Sequence, residues 1–193
     1  VLVDWLPWNH TFGGNHNFGL TLYNGGTLYI DDGKPIPQLI GETLRNLREI
    51  APTVYFNVPR GFEEIAHALA ADRALAKTFF SRVKMLFYAA AGLSQPIWDA
   101  LHRVAEETLG ERIVMITGLG MTETAPFAIC ANWQAGRAGG IGHPAPGTEL
   151  RKGSLLAADP AGTVDFKLDQ KVKRCQARPA SQVRLVADAV LLE

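Results

Sequence analysis

Arg112-Ile113-Val114-Met115-Ile116-Thr117 runs directly into Gly118-Leu119-Gly120-Met121-Thr122-Glu123-Thr124-Ala125-Pro126. Ile113 to Thr117 are β-branched or apolar, as in a buried strand. The glycines that follow end it, and a hydroxyl and a carboxylate then stand side by side at its carboxyl end. In open α/β sheets, ligands gather beyond the carboxyl ends of the strands. A Thr-Glu pair in that place is therefore a candidate ligand contact.

Working outward, the same layout repeats. Val1 to Trp5, Thr27 to Ile30, Thr53 to Phe56 and Val83 to Tyr88 read as strands. Between them lie a Gly/Asn-rich turn over Asn9 to Asn17, a helix-compatible run from Phe18 to Asn24, and a polar loop over Asp31 to Pro37. Ile40, Leu44, Leu47 and Ile50 share one helix face. Pro59 opens a helical stretch continued to Phe80. Ser94 is placed as an N-cap with Pro96 in the first turn, and Ile97, Leu101, Val104 and Thr108 form one face until Gly110. Repeated strand–helix–strand units predict an α/β fold, a mostly parallel sheet of about five strands with helices on both faces. Three distinctive stretches then fall just after strands: His10 after the first, Ala89 to Gly92 after the fourth, Thr122-Glu123 after the fifth.

Composition narrows the function classes. Nineteen basic residues balance nineteen acidic ones, which disfavours an electrostatic partner such as nucleic acid. A 47% apolar share with 20% charge fits a packed domain rather than a disordered chain. No apolar stretch approaches the roughly 20 residues that span a bilayer. Cys130 and Cys175 have no metal-ligand spacing, which favours a reducing, cytoplasmic setting. Near residue 151 the character changes. Residues 151–193 carry eight Lys/Arg against five Asp/Glu, contain the Val-rich pieces Gln182 to Val186 and Ala187 to Leu192, and are broken at Gly153, Pro160, Gly162 and Pro179. The expected division is 1–150 and a divergent tail, 151–193.

Four stretches in order carry a resemblance. They are Leu6-Pro7-Trp8-Asn9-His10-Thr11-Phe12-Gly13, Tyr88-Ala89-Ala90-Ala91-Gly92-Leu93, the Thr-Glu segment, and Gly139-Gly140-Ile141-Gly142-His143-Pro144-Ala145-Pro146-Gly147. Over roughly residues 1–150 the chain resembles the large N-terminal domain of the adenylate-forming enzymes. The stretch from Asp4 to Asn15 is most similar to feruloyl-CoA synthetases. The resemblance implies an AMP-forming acid–CoA ligase that uses ATP, Mg2+ and CoA on a carboxylic acid, ferulate-like and aromatic. It implies His10 and Phe12 at the acyl group, and Ala89, Ala90, Ala91, Gly92, Gly120, Met121 and Thr122 at the nucleotide. Thr122 and Glu123 are the implied catalytic pair, Thr122 on the α-phosphate and Glu123 on Mg2+, a hard cation suited to oxygen ligands. Small residues at 89–92 would let a planar base approach the main chain.

One departure is Leu119, which stands where the family often has an aromatic residue stacked on adenine. Base contact is then apolar or comes from elsewhere, for instance Tyr88. The family's Pro-Lys-Gly phosphate loop, ribose-binding Gly-Asp, hinge and C-terminal-domain lysine are not found here, so a fragment inactive on its own is expected. The alternative reading is a truncated, non-catalytic nucleotide-site module or interaction protein. An α/β hydrolase is disfavoured because no Gly-x-Ser-x-Gly elbow occurs.

Among single residues, Trp8 is read as core and His16 as structural, bonded to the Asn-rich turn. His67 and His102 are read as solvated-face or rim residues, and His143 as a loop stabiliser. Asn57 and Arg60 are either pocket-facing or turn-forming. Glu63-Glu64 and Glu106-Glu107 are read as solvated helix faces.

Overall fold

The computed structural model describes residues 1–124, 127–133, 135–145, 148–151 and 183–186. The tail reading, with its four breaks, Cys175 and the piece 187–192, lies outside these residues except for Val183–Val186.

The strand-prone runs form β1 (Leu2–Asp4), β2 (Leu28–Ile30), β3 (Val54–Asn57), β4 (Met85–Tyr88) and β5 (Val114–Leu119). The helices are α1 (Gly19–Tyr23), α2 (Ile40–Glu49), α3 (Pro59–Ala71), α4 (Arg73–Phe80) and α5 (Gln95–Leu109). The stretch expected as one helix from Pro59 to Phe80 is two. Asp72 interrupts it with extended backbone and its Oδ1 accepts from the Ala74 and Leu75 amides, both at 3.0 Å, so it starts α4 as an N-cap. Gly110 ends α5 in the left-handed region, as expected. Ser94 has N-cap geometry but makes no side-chain capping bond.

The main sheet has the order β3-β4-β5-β6-β7, where β6 is Ile129–Ala131 and β7 is His143–Pro144. β3, β4 and β5 are parallel, while β6 and β7 pair antiparallel. The mostly parallel sheet is thereby corrected to a mixed one. The reason is connection length. A parallel return needs a crossover of a dozen or more residues, and the link from Leu119 to Ile129 is too short. β1 and β2 also stand apart from this sheet, as their own parallel pair. Thr148–Arg151 (β8) and Val183–Val186 (β9) form another.

Strand alternation sorts the core onto two faces. Tyr55, Leu86 and Met115 lie in register and bury against α2 to α5, with Leu47, Phe62, Phe79, Trp98 and Leu101. Phe56, Phe87 and Ile116 point the other way. That second face carries Leu2 and Leu6 from β1 and its exit, and Phe12 from a π-helical segment, Phe12–Phe18. The expected helices on both faces are thus four helices on one face and the π-helix on the other, while β1 contributes to both, through Val3 and Leu2.

The π-helix also corrects the turn expected over Asn9 to Asn17. Gly13 and Gly14 permit it. A Cβ on Gly13 would lie 2.5 Å from Pro7 O, and one on Gly14 would lie 2.2 Å from Trp8 O. The segment folds back onto the chain that precedes it, which only glycine allows. Short π-helices often mark functional sites.

Candidate functional site

β3, β4 and β5 run parallel, so Asn57, Tyr88 and Leu119 end at the same edge. Two cavities open there. The larger, about 210 Å3, is lined by Tyr88, Ala90, Ala91, Gly92, Thr117, Gly118, Leu119, Gly120, Gly139 and Ile141. The smaller, about 60 Å3, is lined by His10, Thr11, Phe12, His16, Phe87, Ala89, Ala90, Gly118, Gly120 and Phe127. Ala90, Gly118 and Gly120 belong to both, forming one shared wall.

That wall is made of main chain. Ala90 sits at φ 76°, a left-handed conformation that costs a non-glycine residue roughly 1–2 kcal/mol. Strain of this kind persists only where surrounding structure enforces it. At Gly118 a Cβ would meet Phe127 Cε2 at 2.7 Å, Ile129 O at 3.0 Å and Phe87 Cζ at 3.2 Å. The Thr117 hydroxyl ties the two strands together beneath the wall, donating to Tyr88 O at 2.7 Å.

The chemistry of the two cavities differs. The larger offers backbone edges, small side chains, and the half-buried Leu119 and buried Tyr88. Tyr88 is itself fixed edge-on to Trp98, at 6.2 Å between centroids. The smaller is aromatic. The His16 ring stacks on Phe87 at 5.4 Å and meets Phe12 and Phe56 edge-on at 5.7 and 5.0 Å. The exposed His10 accepts from the Phe12 amide through Nδ1 at 3.1 Å, so in its neutral form Nε2 carries the proton.

The structure brings together His10 and Phe12 in the smaller cavity, Ala91 and Gly92 in the larger, Ala89 in the smaller, and Ala90 and Gly120 in both. Met121 follows Gly120 and leads into a 3-10 turn, Thr122–Thr124, which holds Thr122 and Glu123. Thr122 is exposed and Met121 half-buried. Thr124 closes that turn. Its Oγ1 accepts from Met121 N at 3.0 Å and donates to Met121 O at 3.0 Å.

Other readings shift. His102, read as a solvated-face or rim residue, is instead 3% exposed, edge-on to Trp98 at 4.9 Å, with both ring nitrogens unpartnered among the described residues. Burial pulls its pKa below the usual histidine value. α5 periodicity did not mark it, because Trp98 turns inward along with Ile97 and carries residue 102 with it. Trp8, read as core, is 51% exposed and tilted on Phe18. His16 bonds Asn17 as expected, yet it also lines the smaller cavity. Asn57 is structural: its Oδ1 accepts from Trp5 Nε1 at 3.2 Å and from the Val58 amide at 2.8 Å. Arg60 pairs with Glu63 and Glu64 on an exposed helix face. Phe127 was missed altogether, since no spacing rule places a residue that returns from beyond the Thr-Glu turn.

Asp4, at the end of β1, is buried, its Oδ1 accepting from the Leu6 amide at 3.2 Å. Burial raises its pKa to about 6 from an ordinary 3.8. The folded state therefore holds a proton in that window that the unfolded chain does not. Its contribution to stability is present below 3.8 and is lost as pH rises through about 6. Relative to the wild type, Asp4→Asn should gain about 3 kcal/mol of stability between pH 3.5 and 7. Denaturant titrations of both proteins across that range check this; a pH-independent difference would rule it out.

Among the described residues no group of three or more His, Cys, Asp or Glu could cage a metal, and no helix is long and apolar enough to cross a membrane. A family model described as an AMP-binding enzyme matches residues 1–152. The chain is 28% identical to a malonyl-CoA ligase solved with methylmalonyl-CoA and AMP, with a TM-score of 0.59 over 85% of this chain and 33% of that one. An anthranilate CoA ligase solved with anthranoyl-AMP is 24% identical, with a TM-score of 0.58 over 76% of this chain and 26% of that one. A benzoate CoA ligase from Burkholderia xenovorans LB400 is 22% identical, with a TM-score of 0.58 over 85% and 31%. The last two likenesses speak to the fold alone. The chain spans about a third or less of the length of these solved ligases. No curated protein sequence matches it.

Proposed function

Because the chain belongs to the AMP-binding enzyme family, which matches residues 1–152, we propose that it forms the acyl- and nucleotide-contacting walls of an AMP-forming acid–CoA ligase. The observation that carries this reading is the pair of cavities joined by Ala90, Gly118 and Gly120. An adenylate has two parts, a base and an acyl group, meeting at one phosphate. Two cavities with a common main-chain wall suit that shape.

In this reading the adenine lies in the larger cavity against Ala90, Ala91 and Gly92, flanked by Tyr88 and Leu119. The absent Cβ atoms let the base contact backbone directly. The acid lies in the smaller cavity among Phe12, Phe87 and Phe127, with Ala89 at its floor and His10 at its rim. Those aromatic walls favour an aromatic acid, ferulate-like as the Asp4 to Asn15 stretch suggests. Gly120, Met121 and Thr122 would lead from the shared wall toward the α-phosphate, where the exposed Thr122 hydroxyl can donate as charge builds. Glu123, in the same turn, would hold Mg2+. With no multi-residue metal cage among the described residues, a single carboxylate fits a cation that keeps its waters and bridges to phosphate oxygens. When bound, the metal supplies charge neutralisation at those oxygens. CoA would be the acyl acceptor.

We further assign residues 1–150 to this AMP-binding unit and 151–193 to a separate tail. A cytoplasmic setting agrees with the free Cys130 thiol.

The test is a pair of titrations followed by amide NMR. AMP should shift the signals of Ala90 to Gly92, Gly118 to Gly120 and Gly139. An aromatic acid should shift those of His10, Phe12, His16 and Phe127. Shifts confined to other surfaces, or none, would sink the proposal.

A further inference from the structure

We infer that His16 is a specificity-determining residue, its Nε2 a fixed hydrogen-bond acceptor that selects acids bearing a donor group, such as a ring hydroxyl. The inference rests on the reading of the smaller cavity as an acyl site.

Asn17 is fully buried, and its Oδ1 lies 2.8 Å from His16 Nδ1. Its amide nitrogen turns toward the Asp4 carboxyl. Asp4 Oδ2 and Asn17 Nδ2 are both buried, and neither has a hydrogen-bond partner among the described residues. A carboxyl beside the amide favours the orientation that turns nitrogen toward it. A flipped Asn17 would put its oxygen against a carboxylate oxygen and turn its nitrogen to the imidazole. The orientation present puts an acceptor against Nδ1, so Nδ1 carries the proton and Nε2 keeps its lone pair. Burial holds the ring below the usual histidine pKa, which favours the neutral form.

Nε2 has no protein partner among the described residues, and it is not among the buried unpartnered atoms. It therefore keeps solvent contact, and His16 lines the smaller cavity. Stacking on Phe87 and edge contacts with Phe12 and Phe56 clamp the ring. A clamped acceptor discriminates, because an acid without a donor leaves it unpaired. His10 offers the opposite polarity, with Nδ1 taken by the Phe12 amide.

Two measurements at pH 7.5 test this. Long-range 1H–15N spectra of the wild-type chain should show His16 protonated on Nδ1, and Asn17→Ala should shift population toward the Nε2 proton. A wild-type Nε2–H tautomer would overturn the inference without any variant having to fold. Calorimetry with 4-hydroxycinnamic acid and cinnamic acid should give about a tenfold preference for the hydroxylated acid. His16→Phe should abolish that preference, read as the ratio of the two affinities. A preference that survives His16→Phe, or is absent from the wild type, overturns the role of His16 and leaves the acyl-site reading standing. Binding of neither acid by the wild type overturns both.

Discussion

Gly118→Val should weaken binding of AMP and of an aromatic acid together, each by at least about tenfold, or about 1.4 kcal/mol. Gly118 is part of the wall common to both cavities, and even a Cβ there would sit 2.7 Å from Phe127 Cε2 and 3.0 Å from Ile129 O. Phe127 can swing, but its movement is into the smaller cavity it lines. The Ile129 carbonyl belongs to the β5–β6 pairing and cannot give without loosening the register Leu119↔Ile129. Valine adds two further methyl groups, directed at the space the ligands need. Overpacking of this sort also costs about 1–3 kcal/mol of stability. Titrations should therefore be made where circular dichroism shows the variant folded. Unchanged affinity for both ligands would remove the shared wall from the site. Loss of one alone would show that the cavities serve different molecules.

Phe79→Ala should destabilise the fold by about 3–5 kcal/mol. Phe79 is fully buried, edge-on to Tyr55 at 5.2 Å and to Phe80 at 5.0 Å. It joins α4 to β3 within the larger core. Removing the ring leaves a cavity bounded by Tyr55 and Phe80, which α4 can fill only partly, because Asp72 anchors its first turn. Domains of this size commonly have about 5–15 kcal/mol in total. A loss on this scale should lower the denaturation midpoint sharply with the denaturant slope unchanged. A drop below about 1 kcal/mol would mean that the α2–α5 face is not the stabilising core.

Much of the architecture could be read from local pattern. Continuous apolar, β-prone runs at Thr53 to Phe56 and Val83 to Tyr88, the first opened by Pro52, are properties of a few neighbouring residues. The structure keeps those strands within two or three residues of the expected bounds. Gly110 likewise announced the end of α5. The break at Asp72 was not legible, since Ala-rich flanks hide an N-cap inside a helical pattern. β6 and β7 were missed because Ile129–Ala131 and His143–Pro144 are too short to show a period. Of the site, the small residues after β4 and the His10 to Phe12 stretch were legible as segments. His16 was read only through its neighbour in sequence, Asn17.

The sequence by itself determined most of the element types and the family, and it marked segments that line the two cavities, because each of these depends on side chains a few positions apart. Only the tertiary structure decided that the sheet is mixed, that β1 pairs with β2 outside the five-stranded sheet, and that Phe127 returns to the wall of Gly118. Those outcomes rest on contacts between residues distant in the chain. The Gly118 to Glu123 stretch thus divides in two: its glycines form the wall between the cavities, and its Thr-Glu pair stands on the turn that follows.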